Sequence, residues 1–174
     1  MSIFWQDSEI ILRTVERDDL KKLSELMSNR EIRKLSGEVY AITEKEMEGF
    51  YEKTQSTEDR IWFVIEEKKS KEIIGETGFL RIFMPWRTSD YSLVIWNEKY
   101  WNIGYGKKIC KVMIDYVFNF LNLHRISIGV VEMNERAMKF WQKVGFKIEG
   151  KQIEGFFSDG KYSDFVMMYI LSNS

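Results

Sequence analysis

In the segment Trp101-Asn102-Ile103-Gly104-Tyr105-Gly106-Lys107-Lys108, a Gly-x-Gly pair is followed directly by two lysines. Such a pattern can bind an anion. Glycines let a loop bend tightly and let a ligand reach the bare backbone. Where a helix starts at such a loop, its first N–H groups lack partners and the peptide dipoles add partial positive charge. The two together make a phosphate cradle. Lysines at a helix start oppose the dipole, so Lys107 and Lys108 suggest a bound anion that offsets their cost. The same residues also suit an ordinary glycine turn with two solvated lysines. Two nucleotide motifs are excluded. A P-loop needs Gly-x4-Gly-Lys-Ser/Thr, and Cys110 stands in no such pattern. A dinucleotide fingerprint needs a third glycine where Ile109 stands.

The cradle needs a strand to deliver it and a helix to follow. Residues 93–96, Leu-Val-Ile-Trp, form a branched and aromatic run that suits a buried strand. Behind the glycines, Ile109, Val112, Met113, Tyr116, Val117 and Phe120 recur at helical spacing, and the helix should end near Leu123. Upstream, Ile10, Ile11 and Leu12 predict a strand. Asp18 and Asp19 are placed to cap a helix carrying Leu20, Leu23, Leu26 and Met27 on one face. Residues 29–42 lack a period and read as a loop or broken helix. Thr43 and Glu46 make a capping-box pattern for a helix to about Thr54. Strands are predicted at 61–65 and 73–83, with a turn between them, and the central strand at 91–96. After the long helix come a strand at 125–131 and a helix at 134–144. The latter turns Ala137, Met138, Trp141 and Val144 inward and stops at Gly145. A hairpin of 146–157 and 162–171 closes the chain. This order describes an α/β fold with one mixed sheet, in a single domain over residues 1–174.

Composition narrows the function classes. The chain has 174 residues, 44% of them hydrophobic, enough for a sizeable core. One cysteine, Cys110, excludes an internal disulfide, and one histidine, His124, is too few for a His-based metal cluster; no metal is expected. No apolar run has membrane-spanning length and no signal peptide is visible, so no membrane partner and a cytoplasmic location are expected. The formal net charge is −1, which calls for no nucleic-acid partner. Acidic residues exceed basic ones in residues 1–60, and the reverse holds in 61–174. That asymmetry suits a cationic substrate and an anionic cofactor on opposite sides, and it also suits solvated faces.

The segment 101–106 resembles the (Gln/Arg)-x-x-Gly-x-(Gly/Ala) loop of the GNAT acyltransferases, with Trp101 departing at the first position. The element order is also that of GNAT proteins. Asn134-x-x-Ala137 followed by Gly145-Phe146 is similar to the family's Asn-x-x-Ala…Gly-Phe segment. Residues 121–124, Glu149-Gly150, the run from Glu154 to Asp164 and 168–171 resemble bacterial spermidine N-acetyltransferases. Ribosomal-protein N-acetyltransferases share part of the pattern. The resemblance implies a central mixed sheet flanked by about four helices, acetyl-CoA as cofactor, and acetyl transfer to a primary amine. A polyamine such as spermidine or another small amine is the leading acceptor. A protein N-terminal amine and a non-catalytic acyl-CoA-binding module are the alternatives. A homo-oligomer is compatible with it.

Residue by residue, the resemblance places the cofactor diphosphate on Asn102, Ile103, Gly104, Tyr105, Gly106 and Lys107. The pantetheine arm falls along the edge of Leu93, Val94, Ile95 and Trp96, as an added strand would, with Asn134 bonding it. Asn134 equally suits a plain helix cap. Arg136, Lys139 and Lys143 could meet the nucleotide phosphates or remain solvated. A backbone N–H of Ile95 or Trp96 could stabilise the oxyanion. Asp90 and Glu76 are candidate bases. The spermidine enzymes place a tyrosine seven residues after the motif asparagine, as acid for the departing sulfur; here that position is Trp141. An indole N–H donates a hydrogen bond but is no practical proton source. Tyr91, Tyr105 and Tyr162 are candidate substitutes. Those enzymes also carry a glutamate where Gly78 stands, and Glu31, Glu38, Glu44 and Glu46 could supply carboxylates for a polyamine instead.

Overall fold

A computed structural model describes residues 2–38, 40 and 42–172; positions 1, 39, 41, 173 and 174 of the expected domain lie outside the described residues. In chain order the elements are β1 (Ile3–Gln6), β2 (Ile10–Thr14), α1 (Asp19–Met27), α2 (Arg30–Ser36) and α3 (Glu44–Ser56). There follow β3 (Ile61–Glu67), β4 (Glu72–Phe83), β5 (Thr88–Ile95), α4 (Tyr105–Asn119) and β6 (Arg125–Val131). The chain closes with α5 (Glu135–Lys143), β7 (Lys147–Ser158) and β8 (Lys161–Leu171). The described residues thus hold five α-helices where about four were expected. They also form β1, an edge strand of four residues, too short to reveal a period.

Local chemistry explains the helix starts. The Thr43 hydroxyl accepts from the Glu46 N–H at 3.2 Å while the Glu46 carboxylate accepts from the Thr43 N–H at 2.8 Å, the expected capping box. Asn29 Oδ1 accepts from the N–H groups of Glu31 and Ile32, and Gly37 ends α2 at φ 84°. The aperiodic stretch 29–42 therefore holds a two-turn helix defined by its caps; within it, residues 39 and 41 are outside the described set. Asp18 and Asp19 do not cap α1 with their side chains. Asp18 makes no cap bond, and Asp19 is turned inward to accept from Arg13 at 2.7 and 2.9 Å. A buried guanidinium left without that partner would cost several kcal/mol, so the ion pair wins over the cap.

The eight strands form one sheet in the order β1-β2-β3-β4-β5-β6-β8-β7. On one face α4 lays Ile109, Cys110, Met113 and Val117 against Phe79, Tyr91 and Ile126. On the other, Leu20, Leu23 and Met47 from α1 and α3 cover Trp62, Val64 and Trp96. Each fully buried aliphatic side chain contributes about 1.5–3 kcal/mol, so both faces are firmly covered.

All strand pairs are antiparallel except β5 with β6. That parallel pair is short: Thr88, Ser89 and Asp90 face Arg125, Ile126 and Ser127. Beyond them β5 runs on to Ile95 beside β4, and β6 to Val131 beside β8, without pairing to each other. The sheet therefore splits at its centre, with the loop before α4 at the far end of the split.

Candidate active site

The split opens into a cavity of about 570 Å³. Its sides are Tyr91, Ser92, Leu93, Val94 and Ile95 of β5 and Ile128, Gly129 and Val130 of β6. Ile32, Leu35 and Ser36 of α2 form one wall, and the loop before α4 together with α5 forms the other. Strand alternation decides which backbone groups face the gap. The Trp96 N–H points to β4 and donates to Ile74 O at 2.9 Å. The groups of Leu93 and Ile95 therefore point the opposite way, into the split. Of the two N–H groups expected to meet an oxyanion, that of Trp96 is already used and that of Ile95 faces the cavity.

At the cradle, Gly104 is the N-cap of α4 at φ 97°, with no side-chain cap and no acidic residue in the first turn. The first helical bond runs from Lys108 N–H to Gly104 O at 3.2 Å. The N–H groups of Tyr105, Gly106 and Lys107 come before it and are the open donors of a helix start. The two lysines part company. Lys107 lines the cavity, whereas Lys108 turns away to Asp7 at 2.8 Å and to Glu9. Burial opposes ionisation of Asp7, but Lys108 and the N–H groups of Ile10 and Glu9 outweigh it and bring the carboxyl down to about 2. Arg136 and Lys143 of α5 join Lys107 on the cavity, and among the described residues no carboxylate lines it. The cavity is thus built to receive negative charge.

Most of the residues expected to bind a cofactor meet here: Leu93, Val94, Ile95, Asn102, Gly104, Gly106, Lys107, Asn134 and Lys143 all line the cavity. Three do not. Trp96 is buried on the opposite sheet face, the Ile103 side chain is exposed, and the Tyr105 ring is buried and stacked 6.1 Å from Tyr100. Asn134 has its side chain engaged within the protein. Its Oδ1 accepts from the Ala137 N–H at 3.0 Å, and its Nδ2 donates to Leu35 O at 2.8 Å. It caps α5 and ties that helix to α2.

The residues expected to do chemistry are dispersed. Of Trp141, Asp90, Glu76 and Tyr162, Trp141 alone lines the cavity. Its ring packs edge-on against Tyr91, Phe140 and Phe146, with centroids 5.6, 5.0 and 5.1 Å away. Packing residue and cavity wall are both correct descriptions of it. Asp90 sits where β5 and β6 are still paired, and its carboxylate accepts from Arg81 Nε at 2.5 Å. It is outside the cavity. Glu76 lies beneath the sheet, accepting from Trp62 Nε1 at 2.6 Å and from Trp96 Nε1 at 3.3 Å. Burial raises its pKa, and the two indole bonds only partly oppose that. Tyr162 is exposed at the β7–β8 turn, its ring 4.8 Å from Phe157.

Of the substitute tyrosines, Tyr91 lines the cavity, but its hydroxyl is engaged inside the protein. The Tyr91 hydroxyl is buried 3.1 Å from Thr77 Oγ1 and 3.8 Å from Cys110 Sγ, and burial pushes its pKa well up. His124 bonds Ser172 Oγ at 3.2 Å. A glutamate at Gly78 is sterically barred: a Cβ there would lie 2.1 Å from Ile61 O. Sequence reasoning missed the α2 wall. Ile32, Leu35 and Ser36 reach the cavity through tertiary packing, and nothing in their local pattern signals it.

Comparison with known proteins agrees with this geometry. The acetyltransferase (GNAT) domain family matches residues 9–147. A spermidine N(1)-acetyltransferase of Vibrio cholerae is 31% identical over 167 residues, covering 96% of this chain and 95% of the relative. The crystal structure of the Vibrio cholerae spermidine N-acetyltransferase in complex with CoA and spermine superposes with a TM-score of 0.87 at 31% identity. It covers 95% of this chain and 97% of that one. A dodecameric structure of the same enzyme superposes with a TM-score of 0.80 at 30% identity, covering 95% of each chain.

Proposed function

The chain belongs to the GNAT acetyltransferase family, and from that premise we propose that it transfers the acetyl group of acetyl-CoA to a primary amine, with a polyamine as its acceptor. One observation carries the reading. A bare helix start and an unpaired strand edge border one continuous cavity, with Trp141 on its wall. A cofactor with a diphosphate at one end and amides along an extended arm suits those donors. When bound, it supplies an activated acetyl thioester.

The chain's own residues have three tasks. The N–H groups of Tyr105, Gly106 and Lys107, with the Lys107 ammonium, hold the diphosphate. The backbone of Leu93 pairs with the arm as a neighbouring strand would. The Ile95 N–H is the donor left to meet the carbonyl oxygen as it gains charge. The acceptor's proton has no carboxylate to go to on the cavity wall, so water receives it. Trp141 shields the sulfur side without offering a transferable proton, which a thiolate leaving group tolerates, since a free thiol has a pKa of about 8.5.

The polyamine assignment draws on the relatives named above. It also draws on exposed acidic residues, Glu31 on α2, Glu38 just after it and Glu44 at the start of α3. The lack of a carboxylate inside the cavity favours a second acceptor class, the N-terminal amine of a protein. Free-thiol release from acetyl-CoA, measured with spermidine, spermine, aminoglycosides and N-terminal peptides, separates the two. Fast release with polyamines supports the first and fast release with peptides the second. Tight cofactor binding without release from any acceptor would leave a binding module. The dodecameric relative supports a homo-oligomer, which sedimentation at micromolar concentration tests.

A further inference from the structure

Trp101 opens the glycine loop at a position where the loops it resembles carry a polar or cationic side chain. The structure shows what stands there instead. The Trp101 indole N–H donates to Ile95 O at 2.7 Å, which fixes the ring against the last residue of β5. The guanidinium of Arg136, from the first turn of α5, lies over that ring 3.4 Å from its centroid. Contact this close means the guanidinium is stacked flat, held by dispersion and by the ring's negative face.

A stacked guanidinium is restrained through its face, while its N–H donors point outward in its own plane. Those in-plane donors are the ones that bind phosphate bidentately. Arg136 spends none of them on an ion pair among the described residues; the nearest charge influence is that of Glu98. Partial burial draws its pKa down, as befits a cation short of compensating negative charge. Both Trp101 and Arg136 line the cavity, beside Asn102 and Gly104. With Lys108 committed to Asp7 and Glu9, the cradle itself offers one free lysine, Lys107.

We propose that Arg136, oriented by Trp101, is a second phosphate-binding group of this site and clamps the cofactor diphosphate from the α5 side, beside the Gly104 cradle. This deepens the acetyl-CoA reading and rests on it. It also gives the site a means of preferring a phosphorylated acyl carrier to the same thioester without phosphates.

The test is calorimetric binding of acetyl-CoA and, by competition, of acetyl-pantetheine, which carries no phosphate. Arg136→Gln should weaken acetyl-CoA binding about ten- to a hundredfold, the range of a charge-assisted hydrogen bond. Its affinity for acetyl-pantetheine should match that of the unaltered protein. Arg136→Lys keeps the charge without the planar fork and should fall between. Unaltered protein that binds acetyl-CoA while Arg136→Gln binds it equally well overturns the clamp alone. An equal loss for both ligands also overturns it, because the residue would then only shape the pocket. Failure of the unaltered protein to bind acetyl-CoA overturns the cofactor reading and the clamp together.

Discussion

The two walls of the cavity are made of different things. The α4–α5 wall offers backbone N–H groups at a helix start, Lys107, Lys143 and a guanidinium stacked on an indole. The α2 wall offers Ile32, Leu35 and Ser36, and no charge. The first suits one fixed anionic ligand, whose phosphates are met by groups already in place. The second suits a ligand that only its reacting end brings inside, with any further recognition outside the cavity. On the acetyl-CoA reading proposed above, the contrast puts cofactor binding in local backbone geometry and leaves acceptor choice to the packing of separate elements.

The largest effect should come from breaking the cradle. Gly104 holds φ 97°, and a β-branched residue there would be strained by ~1–3 kcal/mol. Gly104→Val should abolish acetyl-CoA binding by calorimetry while the far-UV circular dichroism stays native. Next in size is Trp141, which is 7% exposed among three aromatic rings. Trp141→Ala should lower stability by ~3–5 kcal/mol in urea unfolding, the range for such truncations. Trp141→Tyr should cost less and raise turnover modestly at acidic to neutral pH. A loss of melting temperature with no change in the pH–rate profile would leave Trp141 as packing alone.

The two adjacent lysines sharpen the comparison. Lys107→Ala should weaken acetyl-CoA binding about tenfold. Lys108→Ala should leave that affinity unchanged, because its ammonium belongs to Asp7 and Glu9. Equal losses from both would contradict the division. The smallest effect lies under the β5 side of the cavity. Burial pushes the Cys110 thiol up to about 12. The unfolded thiol ionises near its ordinary 9.0, so above that the unfolded chain binds fewer protons than the native one. Stability should therefore fall as pH rises from about 9 towards 12, and Cys110→Ala should flatten that part of the denaturation profile.

How much of this was legible in the sequence follows the same divide. The cradle is a local pattern, and Gly104, Gly106 and Lys107 stand where their spacing put them. The capping box of Thr43 and Glu46 was equally local and is present. The order of elements along the chain was legible too, and the α4 crossover it puts between β5 and β6 is what their parallel pairing needs, although the split itself was not foreseen. What was not legible depends on non-local choices. Asp19 prefers a buried arginine to its own helix. Glu76 turns to two indoles across the sheet, and Asp90 to Arg81. A carboxylate on a strand can face either way, and alternation alone does not say which face holds the site. The Arg136 stack joins two segments far apart in the chain, so Trp101 read alone as a departure from the loop pattern.

The central claim is that the split between β5 and β6 holds the arm of acetyl-CoA against the backbone of β5. Amide hydrogen exchange, followed residue by residue by NMR with and without saturating acetyl-CoA, tests it directly. The N–H groups of Leu93, Ile95, Gly106 and Lys107 should all slow on binding, while that of Trp96, already bonded to Ile74 O, should change little. Saturated binding that leaves Leu93 and Ile95 exchanging as fast as in the free protein would contradict the account.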